Sequence, residues 1–208
     1  MILYSYWRST TSYRVRVALH LKGVPFTTRS INLADGEQCS SNYEKINPSM
    51  GVPALQINDD VTLTQSMTIL SYLEQVHPVP AMLPSDPIKS ALIAAAANVI
   101  ACDIHPVNNL KVVSRMKSLG ADGIEWMIDW MNQGLMAYQK LIEPKGRYSF
   151  GDDLTLADIC LVPQLYNAHR WGVDLSPFKR LVEIEQACLM TDAFQKAHPN
   201  NQPNSETP

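Results

Sequence analysis

Between His77 and Pro87 the chain carries four prolines, Pro78, Pro80, Pro84 and Pro87. Proline lacks a backbone donor and fixes φ, so such a run suits neither a helix interior nor a central strand. It divides the 208 residues into two stretches of different pattern. Short strand and helix patterns alternate before it, and strand patterns vanish after it. The expectation is an α/β domain over residues 1–77, a linker over 78–87 and an all-helical domain over 88–208, both domains of ordinary size.

Within the first stretch, Ile2 to Tyr6 reads as a strand and Ser12 to Lys22 as a helix. Gly23-Val24-Pro25 supplies the stop signals for that helix. Phe26 to Asn32 is a second strand, and Cys39 to Ile46 a short helix closed by Asn47-Pro48. Ala54 to Ile57 and Val61 to Leu63 are strands joined by the turn Asn58-Asp59-Asp60. Ser66 to Val76 is a helix with Ile69, Tyr72, Leu73 and Val76 on one face. The order βαβ, helix, ββα predicts a small sheet of mixed direction. In the second stretch, helices are expected over Ile88 to Ser118 with a bend near Pro106, over Asp122 to Glu143, over Leu154 to Arg170 and over Phe178 to Cys188. The polar tail from Pro199 to Pro208 is expected to be mobile.

Composition narrows the function classes. Hydrophobic residues are 46% of the chain and charged residues 18%, enough apolar material for a sizeable core. The net charge is -3 and no basic block stands out, which argues against nucleic acid as a partner. The N-terminus lacks the charged region of a signal peptide. The apolar run Ala91 to Ala101 is broken by Asn98 and reads as too short to span a bilayer, so a cytoplasmic protein is expected. Cys39, Cys102, Cys160 and Cys188 form no C-x-x-C pair, so neither a bound metal nor a redox dithiol is predicted.

Two stretches carry chemistry. Ser9, Thr10, Thr11 and Ser12 crowd the start of the first helix. A helix N-terminus offers unpaired N–H groups and a partial positive charge, and can hold an anion such as a thiolate. The same hydroxyls also serve as ordinary helix caps. In the third helix of the second stretch, Thr155 and Asp158 are polar insertions with capping-box spacing. Asp158 is expected to be structural, because a buried carboxylate needs the donors that this spacing supplies.

Ser9-Thr10-Thr11-Ser12-Tyr13-Arg14-Val15-Arg16-Val17-Ala18-Leu19 resembles the signature Ser-Ser-Cys-x-x-Arg-Val-Arg-Ile-Ala-Leu of the zeta class of glutathione transferases. Asn47-Pro48, Val52-Pro53-Ala54-Leu55, Gln65-Ser66, Asp103-Ile104-His105-Pro106, Asn108-Asn109, Thr155-Leu156-Ala157-Asp158 and Ala197-His198-Pro199 follow in the family's order. The resemblance spans nearly the whole chain. It implies a thioredoxin-like N-terminal domain, an all-helical C-terminal domain, a homodimer and glutathione as cofactor. One departure stands out: where the family usually has Cys, this chain has Thr11. A protein thiol cannot act there, so the reactive sulfur must be glutathione's own.

The resemblance also implies residue roles. Ser9 leads as the donor to the glutathione sulfur, with Thr11 second. Thr10, Gln38, the cis turn Val52-Pro53, Gln65, Ser66 as helix N-cap, His105 and Asn109 complete the glutathione site. Arg8, Lys111 and Arg170 match positions that hold substrate carboxylates, although Lys111 is often Arg, which grips a carboxylate with two parallel bonds where Lys offers a point charge. Arg14 and Arg16 are read as structural or interface residues. Known members isomerise maleylacetoacetate, from tyrosine breakdown, or maleylpyruvate, from gentisate breakdown. The thiolate adds to the conjugated alkene, the bond rotates, and the thiolate is expelled to leave the fumaryl product. A transferase that conjugates electrophiles and a non-catalytic binding module on the same fold are the alternatives.

Overall fold

A computed structural model describes residues 1–205. They divide into two compact units, one made of 1–80 with 190–205, the other of 81–189. The first unit is therefore discontinuous: the C-terminal segment that the sequence pattern assigns to the helical domain packs with the α/β part instead.

In the first unit β1 (Ile2–Ser5) lies inside a four-stranded sheet of order β2-β1-β3-β4. It runs parallel to β2 (Thr27–Ser30) and antiparallel to β3 (Ala54–Gln56), which pairs antiparallel with β4 (Thr62–Thr64). The mixed direction expected from the pattern is present. Alternation sets the faces. Tyr4 and Ala54 join Tyr43 of the short helix α2 (Ser41–Glu44) in one cluster. Leu3 and Leu55, in register with one another, are fully buried.

Helix α1 (Thr10–Leu21) packs against α3 (Ser66–Val76) and against α9 (Asp192–Ala197). It is covered on so many sides that Thr10 and the whole run from Ser12 to Leu19, arginines included, are buried. Its C-terminus is fixed by Lys22, whose ammonium donates to Glu74 Oε2, His77 O and Pro80 O, one acceptor for each of its three protons. Gly23, at φ +63, then takes the left-handed conformation that ends the helix.

The expected mobile tail is corrected over its described part. α9 is a helix beyond those the pattern predicts, and the start of the tail after it is tied down: Gln202 Nε2 donates to Lys196 O at 2.8 Å and His198 O at 3.1 Å. The remainder of that tail, 206–208, lies outside the described residues.

The second unit contains α4 (Pro87–Asn98), α5 (Leu110–Ser118), α6 (Gly123–Leu141), α7 (Leu156–Trp171) and α8 (Lys179–Leu189). The single bent helix expected over Ile88 to Ser118 is instead α4, a π-helical segment Val99–Ile104, a turn, and α5. Pro106 accounts for the break, since it cannot donate within a continuing helix. α4 and the π segment form an unbroken 18-residue stretch that by length and composition suffices to cross a bilayer, correcting the shorter run read from sequence. Five of its residues, Ile93, Ala96, Ala97, Ile100 and Ile104, are buried, and through that face the stretch packs on α6 and α7. Gly134 of α6 permits that approach, because a Cβ there would stand 2.1 Å from Ile104 Cγ1. The central helix is α7, buried from Leu156 to Leu165. Asp158 near its start is fully buried and accepts from Ser149 N, Thr155 N and Thr155 Oγ1 at 2.8, 2.8 and 2.9 Å. Burial pushes its carboxyl up from the usual range, and these donors oppose that shift.

Candidate active site

The turn between β1 and α1 is built around Ser9. Its backbone is extended, at φ -67 and ψ 120, and its Oγ accepts from Ser12 N at 3.2 Å, so Ser9 is the N-cap of α1. The helix starts two residues earlier than the hydrophobic period indicates, because the period registers only the buried face while the cap fixes the end. Ser9 Oγ lies 2.9 Å from Thr11 Oγ1, and Thr11 Oγ1 donates to Val52 O at 2.9 Å. A chain of hydroxyls thus joins the α1 N-terminus to the turn before β3. The Val52–Pro53 bond is cis. Thr10, next to Ser9, is buried.

The Val52 turn is held from beneath by residues to which the sequence reading gave no role there. Tyr43 Oη and Asn47 Nδ2 both donate to Gly51 O at 2.7 Å, using both lone pairs of that carbonyl. Burial drives the Tyr43 phenol up to about 12, so it remains a donor at any ordinary pH. Asn47 Oδ1 in turn accepts from Ser49 N and Ser49 Oγ. In the sequence, Asn47-Pro48 reads as a helix stop and as part of the family pattern, with no role in holding this turn.

Across the same unit, Gln65 occupies the N-cap position of α3 with φ +65, and Ser66 is the first helical residue. This corrects the expectation that Ser66 is the cap. A left-handed non-glycine residue is costly and is retained where the surroundings impose it, commonly at binding sites. The buried Ser66 accepts from Arg14 Nη1 at 3.5 Å. Gln38 sits in a 3-10 turn, Glu37–Cys39, and its Oε1 is buried without a hydrogen-bond partner. Arg8 is half-buried, with its guanidinium 4.4 Å from the Trp7 ring, and its Nε also has no partner. An orphaned acceptor, an orphaned cationic donor and two helix N-termini suit a ligand carrying both charges and peptide groups.

Residues 1–75 match the glutathione S-transferase N-terminal domain. Over 210 residues the chain is 42% identical to the maleylacetoacetate isomerase of Pseudomonas aeruginosa, covering 99% of each. A solved maleylpyruvate isomerase, described as a bacterial glutathione S-transferase of the zeta class, is 41% identical with a TM-score of 0.95 over 98% of this chain and 99% of that one. The chain belongs to the zeta-class glutathione S-transferases. It is also similar to a maleylacetoacetate isomerase from Methylobacterium extorquens solved with bound malonate and glutathione, 32% identical with a TM-score of 0.93 over 98% of this chain and 99% of that one.

In this zeta-class chain the second unit holds the other residues singled out from the family pattern. His105, half-buried, ends the π-helical segment, its N–H donating to Ile100 O at 3.0 Å. A π segment widens a helix by one residue per turn and commonly marks functional positions. Asn109 caps α5, its Oδ1 accepting from Lys111 N at 3.1 Å. Lys111 is exposed. Arg170 is exposed near the end of α7, its guanidinium 4.6 Å from the Trp171 ring. Asn108, beside Asn109, donates to Met127 O while its Oδ1 is buried without a partner. Among the described residues, no three His, Cys, Asp or Glu side chains come together as a metal site.

Proposed function

We propose that this chain is a glutathione-dependent cis–trans isomerase that converts maleylacetoacetate or maleylpyruvate to the fumaryl isomer. The observation that carries the reading is the hydroxyl chain from Ser9 through Thr11 to Val52 O at the N-terminus of α1. When bound, glutathione supplies a thiolate nucleophile that adds reversibly to the conjugated alkene. The protein's part is to stabilise that sulfur and to place the substrate. Ser9 donates to the sulfur, and the N–H groups of the first α1 turn favour its negative charge. Val52, before the cis proline, pairs its backbone with the cysteinyl group as an added strand would. Gln65 and Ser66 receive the γ-glutamyl carboxylate at the N-terminus of α3, and Gln38 lends its unpartnered acceptor.

On the family pattern, His105 and Asn109 also serve glutathione, and Arg8, Lys111 and Arg170 serve the substrate carboxylates. The malonate in the Methylobacterium relative supports a dicarboxylate substrate. The protein acts in the cytoplasm, in tyrosine and phenylalanine or related aromatic-acid breakdown, as a homodimer.

The test is incubation with glutathione and, separately, maleylpyruvate and maleylacetoacetate, following fumaryl product and free thiol together. An isomerase forms product with the thiol titre unchanged. Stoichiometric loss of thiol would instead establish a conjugating transferase. Glutathione binding without turnover would establish a binding module.

A further inference from the structure

We infer that Arg16 is a positioning residue for the glutathione turn, and that α9 is the second anchor through which it acts. The C-terminal segment of the chain then helps set the geometry of the thiol site. The inference rests on the reading of this unit as a glutathione site.

Arg16 lies in the interior of α1 and is fully buried. Its guanidinium fans out over two segments far apart in sequence. Nη2 donates to Trp7 O at 3.0 Å, and Nη1 donates to Ser5 Oγ at 3.0 Å and Tyr6 O at 3.4 Å. Nε donates to Ala197 O at 3.0 Å. Tyr6 O is also the acceptor of the Ser9 N–H, at 3.0 Å. Arg16 and Ser9 therefore meet on one carbonyl, and the position of that carbonyl fixes the start of the turn that carries the catalytic hydroxyl.

The other anchor is equally specific. Ala197 is the last residue of α9, where carbonyls lack helical partners and the helix dipole is negative, so its oxygen is a strong acceptor for a guanidinium. α9 is seated on α1 through the fully buried Phe194, whose ring meets Tyr13 edge-on at 6.2 Å. The His198 ring meets the same tyrosine at 6.1 Å. A planar guanidinium can satisfy these directions at once, whereas a lysine ammonium cannot span both segments from one point. Buried positive charge two peptide groups from Ser9 also adds to the field that favours a thiolate.

Full-length Arg16→Lys and Phe194→Ala test this, with Ile69→Val as a core control in the same unit that leaves the turn untouched. The readouts are the thiol pKa of bound glutathione, from thiolate ultraviolet absorbance, the KM for glutathione, kcat and the melting temperature. Arg16→Lys should raise the KM for glutathione about tenfold and move the bound thiol about one unit toward its free value. Phe194→Ala, which loosens the anchor while leaving the arginine, should shift both in the same direction. Ile69→Val should lower the melting temperature alone. A folded Arg16→Lys with wild-type thiol pKa and KM overturns the inference; if that variant does not fold, unchanged values in Phe194→Ala overturn it. A wild-type protein that gives no thiolate signal with glutathione refutes the glutathione site itself, a separate result.

Discussion

The hydrogen bond between Ser9 and Thr11 has a fixed direction. Val52 O can only accept, so the single hydroxyl proton of Thr11 points to it. The proton shared over the 2.9 Å between the two side chains is therefore Ser9's. Ser9 Oγ meanwhile accepts the Ser12 N–H. Serving a thiolate requires the Ser9 hydroxyl to turn away from Thr11. Thr11 is then the resting acceptor and the tether to the Val52 turn, rather than the sulfur's first donor.

This asymmetry predicts unequal effects. Ser9→Ala removes both a helix cap, worth about 1 kcal/mol, and the proposed thiolate donor, so kcat/KM should fall by about a hundredfold. Thr11→Val frees the Ser9 proton but unties Val52, and its loss should be about tenfold or less. Steady-state kinetics on both variants and the double mutant, with the bound thiol titrated in each, decide the order. Equal losses would return Thr11 to the role of direct donor.

Asp158→Ala should act on stability rather than chemistry. The change leaves Ser149 N, Thr155 N and Thr155 Oγ1 without their buried acceptor. At about 1 to 3 kcal/mol for each stranded donor, the loss is comparable with the whole stability of many domains. Urea unfolding should show a lowered midpoint, with Asp158→Asn intermediate. A soluble, fully stable and inactive Asp158→Ala would contradict the structural role.

The spacing of Thr155 and Asp158 makes that role legible in the sequence, because a capping box is a local device four residues long. The order of the first elements, the β3–β4 hairpin and the extent of α3 were legible for the same reason. What escaped has no repeating pattern in the sequence. Gln65 at φ +65 shifts the cap by one residue, and nothing in the residue type announces that conformation. Tyr43 and Asn47 converge on Gly51 through folding of a loop with no periodic signal. α9 is six residues long, too short for a period, and its partner Arg16 is distant in sequence. Arg14 and Arg16 carried one signal: two cations among the valines of an apolar helix must find acceptors if buried.

Arg170→Ala should raise the KM for a maleyl substrate while leaving the KM for glutathione nearly unchanged. Arg170 is exposed on α7 with its guanidinium over Trp171, so its removal disturbs little packing. Loss of one charge-assisted contact is worth about 1.5 to 3 kcal/mol, or roughly tenfold to a hundredfold in KM. Unchanged kinetics would remove Arg170 from substrate binding.

Two histidines predict how stability responds to acid. Burial, then the charge of Arg16, holds His198 below the usual 6.5. Burial, then Lys196 and Arg16, does the same for His20, with Asp192 opposing. A lowered value means the unfolded chain binds more protons near pH 6.5, so stability is full above that pH and is lost as pH falls through the folded values. Protonating His198 Nδ1 also ends its acceptance of the Asn200 N–H. Melting temperature should drop between about pH 7.5 and about pH 5.5, and His20→Gln with His198→Gln should flatten that slope. A slope unchanged by the double variant would assign it to other groups.

The discontinuity of the first unit bears on the order of synthesis. α9 leaves the ribosome only after all of 81–189. Until then the face of α1 that meets Phe194 is uncovered, and Arg16 lacks its acceptor at Ala197. A product that stops short of α9 carries every hydroxyl of the proposed thiol site and still lacks the Ala197 carbonyl that Arg16 donates to. On the proposed reading, assembly of the thiolate site is thereby tied to translation through α9, and a product lacking it leaves that site unfinished.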